Sequence, residues 1–137
     1  MTQEERKSSA NILIVDDEEI VLSLLSDALE EEAAELTTVN SAAKAIEIIE
    51  NKPIDLLITD IRMPGMDGIE LAGRAAYAQP KIKIIFMTGY ANLNSAKDAI
   101  RHGAIDYILK TFELKEIRKA VWKALNLISE NKDKDCN

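Results

Sequence analysis

Apolar residues along this chain fall into short solid blocks separated by longer stretches where they recur every three or four positions. Ile12–Val15 and Leu56-Leu57-Ile58, within Asp55–Thr59, are continuous, whereas Leu36–Val39, Ile82–Met87 and Ala104–Leu109 are strand-length stretches that include polar residues. A continuous run such as Ile12–Val15 predicts a strand buried on both faces, and the other stretches read as strands. The intervening patterns predict helices. Ile20, Val21, Leu24, Leu25, Ala28 and Leu29 mark the first, and Ala42, Ala45, Ile46 and Ile49 share a face of the second. Ile69, Leu71, Ala72, Ala75 and Ala76 belong to the third, expected from about Gly68 to Ala78. A weakly apolar fourth covers about Leu93–His102, and Leu114, Ile117, Val121, Ala124, Leu125 and Ile128 form the stripe of the last. Ser41 is placed to cap the second helix. Pro53, Pro80, Pro64-Gly65 and Asp67-Gly68 punctuate, and Gly103 suits a left-handed helix end. Strand and helix thus alternate five times. That alternation implies a parallel sheet with helices on both faces, joined by right-handed crossovers.

With 137 residues the chain fits one domain with a proper core. Apolar residues at 47% and charged residues at 30% are those of a soluble globular protein. No apolar run approaches a membrane span, and the polar Met1–Ala10 is no secretory signal but a short flexible lead-in. The net charge of −7 argues against direct nucleic-acid binding. Cys136, alone in a polar tail, excludes an intrachain disulfide and a thiolate metal cluster, in keeping with a reducing, cytoplasmic setting. Asn131–Asn137 reads as a polar tail or the start of a linker, while Met1 suggests a natural start.

The chemistry sits where the strands end. The first block runs into Asp16, Asp17, Glu18 and Glu19; the third ends at Asp60, the fourth at Thr88 and the fifth at Lys110. In a parallel sheet all of these share the C-terminal edge, where ligands bind in open α/β folds. Taken alone, Asp60 reads equally well as a turn residue, and Glu18 and Glu19 read as first-turn acids that suit a helix dipole. Together, Asp16, Asp17 and Asp60 are three carboxylates that repel one another until a cation joins them. Oxygen ligands of this kind suit Mg²⁺. Lys110 and Thr88 add a cation and a hydrogen-bond donor for phosphoryl oxygens, and a carboxylate in that setting can be phosphorylated.

With these residues in view, the sequence resembles a two-component response-regulator receiver domain. The resemblance rests on Ile12-Leu13-Ile14-Val15-Asp16-Asp17, on Asp60-Ile61-Arg62-Met63-Pro64-Gly65-Met66-Asp67-Gly68, on Met87-Thr88-Gly89-Tyr90, on Gly103-Ala104 and on Asp106-Tyr107-Ile108-Leu109-Lys110. It spans about Asn11–Ser129, with 1–10 as a flexible lead and 130–137 as tail or linker. It implies a flavodoxin-like (βα)5 fold of strand order 2-1-3-4-5. It implies Asp60 as phosphoacceptor from a histidine kinase or phosphotransfer protein. Asp16, Asp17, Asp60 and the backbone carbonyl of Arg62 would hold Mg²⁺. Thr88 and Lys110 would contact the phosphoryl group. Thr88 and Tyr107 would form the switch, biasing the face made by the fourth helix, fifth strand and last helix toward a downstream partner or output. A homodimer through that face is compatible with the resemblance, though no residue selects it.

The family's Lys-Pro pair is here Lys110-Thr111. A cis bond before Thr111 would cost roughly 3–4 kcal/mol, so a trans bond with a rearranged loop is expected over a strained cis bond. Arg62 and Tyr90, each two residues beyond a site residue, are bulky enough to obstruct in-line water and slow self-dephosphorylation. A degenerate receiver acting as a phosphorylation-independent scaffold is the main alternative. A haloacid-dehalogenase-type phosphatase would need a second Asp at position 62, where Arg62 stands, and a flavin protein would not place four acids after its first strand. His102, without a second His, reads as a helix-end cation. Trp122 reads first as packing, Met63 and Met66 as loop packing, and Lys132–Asp135 as solvated charge.

Overall fold

The computed structural model describes residues 10–33, 35–89, 106–109 and 114–135. Five strands, β1 (Asn11–Val15), β2 (Glu35–Val39), β3 (Leu56–Asp60), β4 (Lys83–Thr88) and β5 (Asp106–Leu109), form one sheet of order β2-β1-β3-β4-β5. Every neighbouring pair is parallel. The strand order is the one the resemblance implies. The chain reverses its direction of winding about β1, which makes the gap between the C-terminal ends of β1 and β3 a topological switch point.

Strand alternation divides the core in two. Ile12 and Ile14 of β1, Leu56 and Ile58 of β3, and Ile85 and Met87 of β4 face one side. They pack there against helix α1 (Glu19–Leu29) and the C-terminal helix (Leu114–Asp135). Leu13, Val15, Leu57, Ile84 and Phe86 face the other side, covered by α2 (Ala42–Asn51) and α3 (Gly68–Ala78). The runs in β1 and β3 are continuous because both faces are covered, while the edge strand β2, with two threonines, is only partly buried. Burying each such side chain contributes about 1.5–3 kcal/mol.

The helices begin where the sequence indicates. The Ser41 side chain accepts a hydrogen bond from the Lys44 N–H, and the Asp67 side chain accepts one from the Glu70 N–H at 2.8 Å. Gly65 takes a left-handed φ of +79°, which the Pro64-Gly65 turn needs and glycine adopts freely.

Three expectations change. The buried stripe of α1 is Leu22, Leu25, Ala28 and Leu29, while Ile20 is 76% exposed and Leu24 is also exposed. Six apolar residues are more than one helical face can bury, and the sheet selects one set. Trp122 points outward at 61% exposure, so it is not core packing; Ile117, Val121, Ala124 and Ile128 fill that role. Helical backbone continues to Asp135, through the segment read as polar tail. No Gly or Pro interrupts it, and a helix anchored by its packed turns extends readily through polar residues.

At the N-terminal edge of the sheet, Gln79 ties three segments together. Its side-chain oxygen accepts from the Ile54 N–H at 2.8 Å, and its amide nitrogen donates to the Ile49 and Lys52 carbonyls at 2.8 and 2.9 Å. Asp55 accepts from the Asn11 N–H at 2.8 Å, aligning the starts of β1 and β3. Of the lead-in expected over 1–10, Ala10 is instead buried in the core just before β1; residues 1–9, the fourth predicted helix, Tyr90, His102, Lys110, the 110–111 peptide and Cys136 lie outside the described residues.

Candidate functional site

β1 ends at Val15 and delivers Asp16 fully buried beside the neighbouring strand, its N–H donating to the Val39 carbonyl at 3.2 Å. Asp16 Oδ1 accepts from the Glu18 N–H at 2.8 Å, which fixes the turn from β1 into α1. Asp17 and Glu18 follow at the surface. β3 delivers Asp60, only 4% exposed. Its Oδ1 accepts from the Arg62 N–H at 3.2 Å, and its carbonyl accepts from the Thr59 hydroxyl at 3.0 Å. The Arg62 side chain is exposed.

Behind Asp60, the Ile61 N–H donates to the Met87 carbonyl, and the Gly68 N–H donates to the Ile61 carbonyl at 2.8 Å. The loop that leaves β3 therefore folds back onto it. A Cβ on Gly68 would collide with the carbonyl oxygen of Asp60, so only glycine permits this return. Thr88 ends β4, buried, one residue beyond Met87, which pairs with Asp60. β5 runs alongside, with Tyr107 in register with Phe86 and Leu109 with Thr88.

The structure brings Asp16, Asp17 and Asp60 together, as expected, and adds Glu18. Each of the four offers a carboxylate oxygen, and these oxygens lie within 4.8 Å of one another. Oxygens around an octahedral Mg²⁺ stand about 3–4 Å apart, so small adjustments would bring this set onto one hard divalent cation. The donors are all carboxylates, with two buried and two facing water, a chemistry suited to a cation that keeps some of its own waters.

The reading of Glu18 as a dipole-stabilising acid alone is thus incomplete. The signal was present as a third consecutive acid, but spacing could not show which way it turned. Glu19 faces elsewhere and accepts from Asn40 Nδ2 at 3.4 Å.

Fold and site together define a doubly wound α/β protein with a buried acid at its switch point and a cation-ready carboxylate cluster around it. The profile of the response regulator receiver domain matches residues 12–122, and the chain belongs to that family. It is 38% identical over 122 residues to the Regulatory protein AtoC of Escherichia coli (strain K12), covering 89% of this chain and 26% of that protein. It is 35% identical over 118 residues to Sporulation initiation phosphotransferase F of Bacillus subtilis (strain 168), covering 86% and 95% respectively. A CheY-like response regulator receiver domain protein from Methanospirillum hungatei JF-1 superposes with a TM-score of 0.83 at 31% identity, covering 90% of this chain and 99% of that one. The chain spans about a quarter of the length of AtoC but nearly all of the Bacillus protein.

This is accordingly a receiver domain of two-component response regulators, a phosphoacceptor switch. The scaffold alternative is not favoured. Among the described residues, no helix is long and apolar enough to cross a membrane.

Proposed function

We propose that Asp60 accepts a phosphoryl group from the phosphohistidine of a kinase or phosphotransfer protein. The observation that carries this reading is the buried Asp60 carboxylate inside a cluster of four acids spanning 4.8 Å. A carboxylate oxygen of Asp60 attacks phosphorus, the donor's P–N bond breaks, and the imidazole leaves with its bonding pair and takes a proton from solvent. The backbone N–H of Arg62 holds the other oxygen of Asp60 and fixes the carboxylate plane.

Asp16, Asp17, Asp60 and the Arg62 carbonyl are the residues we assign to Mg²⁺, with Glu18 at its margin. When bound, Mg²⁺ supplies charge neutralisation for the transferring group. Thr88 and Lys110 contact the phosphoryl oxygens, and Thr88 with Tyr107 transmits the new charge to the face beyond β5. Arg62 and Tyr90 restrict in-line water and lengthen the life of the acyl phosphate. The domain is taken as 11–129, and its downstream partner or output binds the altered face.

Intact-protein mass after incubation with acetyl phosphate tests the acceptor. Gain of one phosphoryl group that needs Mg²⁺ and disappears in Asp60→Asn is expected. The same gain in Asp60→Asn would overturn the assignment.

A further inference from the structure

The face opposite α1 carries a groove that the phosphoacceptor chemistry does not use. It lies between α2 and α3 and has a volume of about 680 Å³. Ile46 and Ile49 wall one side and Ile69, Gly73 and Tyr77 the other. The three α3 residues are four positions apart, so they form one stripe along the helix.

Two members of this stripe are costly for a free surface. Tyr77 is 91% exposed, the most exposed of the large apolar and aromatic side chains among the described residues. Gly73 lies inside α3, where glycine is a poor helix former. Among the described residues nothing lies within 4 Å of where its Cβ would be, so none of them requires a glycine there. The absent side chain leaves the groove open midway along its α3 wall. An exposed aromatic beside a gap of this kind is the form of an anchor-and-pocket interface.

The rim states the sign of the occupant. Glu50, Asp67 and Glu70 line the groove against the single guanidinium of Arg74, three negative charges to one positive. The ion pair of Lys52 with Glu35 lies elsewhere. An apolar channel along two helices with an acidic rim matches one face of a third helix carrying basic flanks.

We propose that the α2–α3 groove docks a basic amphipathic helix of a partner protein. The groove is separate from the face beyond β5 and from the acid cluster, so the proposal goes beyond phosphoryl acceptance and does not depend on it.

The test uses the full 137-residue chain and a fluorescein-labelled helical peptide with leucines at i, i+3 and i+7 and lysines on its flanks. A second peptide carries glutamates in place of the lysines. Fluorescence anisotropy should give a dissociation constant of about 10–100 μM for the lysine peptide and at least about tenfold weaker binding for the glutamate peptide. Gly73→Gln should abolish binding, and its unfolding midpoint should be no lower than that of the wild type because glutamine favours helix. Tyr77→Ala should weaken binding at least about tenfold, and Trp122→Ala should leave it unchanged. No binding up to about 1 mM, equal affinity for the two peptides, or undiminished binding by Gly73→Gln would overturn the proposal. A dimer in sedimentation equilibrium that dissociates on Tyr77→Ala would overturn it in favour of a second copy of this chain.

Discussion

Gly68 does more for the site than any other residue without a functional group. It stands at the first position of α3, yet its backbone lies against the carbonyl of Asp60, eight positions earlier. The loop from Asp60 to Asp67 must return to the end of β3, and its return is held by the Gly68 N–H on the Ile61 carbonyl. A methyl group there meets backbone atoms, which cannot rotate away as a side chain could. Gly68→Ala should therefore destabilise the fold by about 2–3 kcal/mol, the upper part of the range for overpacking. Urea unfolding measures this directly. A loss below about 0.5 kcal/mol would show that the loop has freedom the structure does not reveal. The substitution should also displace Asp60, because the atom struck belongs to its own peptide group.

Between elements, the distribution of polar ties is uneven. The C-terminal edge of the sheet is left to charged chemistry, and the N-terminal edge is closed by side-chain hydrogen bonds. Gln79 is the clearest case. It follows α3, yet it satisfies the end of α2 through the Ile49 and Lys52 carbonyls and the entry to β3 through the Ile54 N–H. One half-buried amide thus holds three segments that no strand ladder joins. Gln79→Ala would leave two acceptors and one donor to find water in a partly closed space. The expected cost is about 2–3 kcal/mol, the sum of a few hydrogen bonds at about 1 kcal/mol each. Equilibrium urea denaturation at constant m-value checks it. Phosphorylation of the folded variant should continue, since the clamp lies at the opposite end of β3 from Asp60.

At the scale of the whole molecule, the parts legible in the sequence were those set by periodicity and by strand ends. Solid runs such as Leu56-Leu57-Ile58 specify strands buried on both faces, and the acids and Thr88 at successive strand ends specify one sheet edge. Direction within a helix was less legible. Ile20 and Leu24 have the same spacing as residues that are buried, and only docking on the sheet decides between two adjacent stripes. Glu18 was ambiguous for the same reason, since a first-turn acid serves the dipole and the cluster at once. Gln79 gave no signal at all, because its three partners are backbone atoms. The same view of the whole explains a conflict between stability and function. A chain of net charge −7 gathers four carboxylates within 4.8 Å, two of them buried, and their mutual repulsion opposes folding until a cation arrives. Asparagine at position 60 keeps an oxygen for the Arg62 N–H and removes one buried charge. Asp60→Asn should therefore be more stable than the wild type in EDTA, by about 1 kcal/mol or roughly 3–5 °C in Tm. Millimolar Mg²⁺ should raise the wild type and close the gap, because a ligand that binds only the folded state stabilises it by mass action. Thermal melts of both proteins with and without Mg²⁺ measure all four values. A variant less stable than the wild type in EDTA would mean that the hydrogen bonds of the Asp60 carboxylate outweigh its repulsion. The acidic site would then be a net support of the fold rather than a strain held for chemistry.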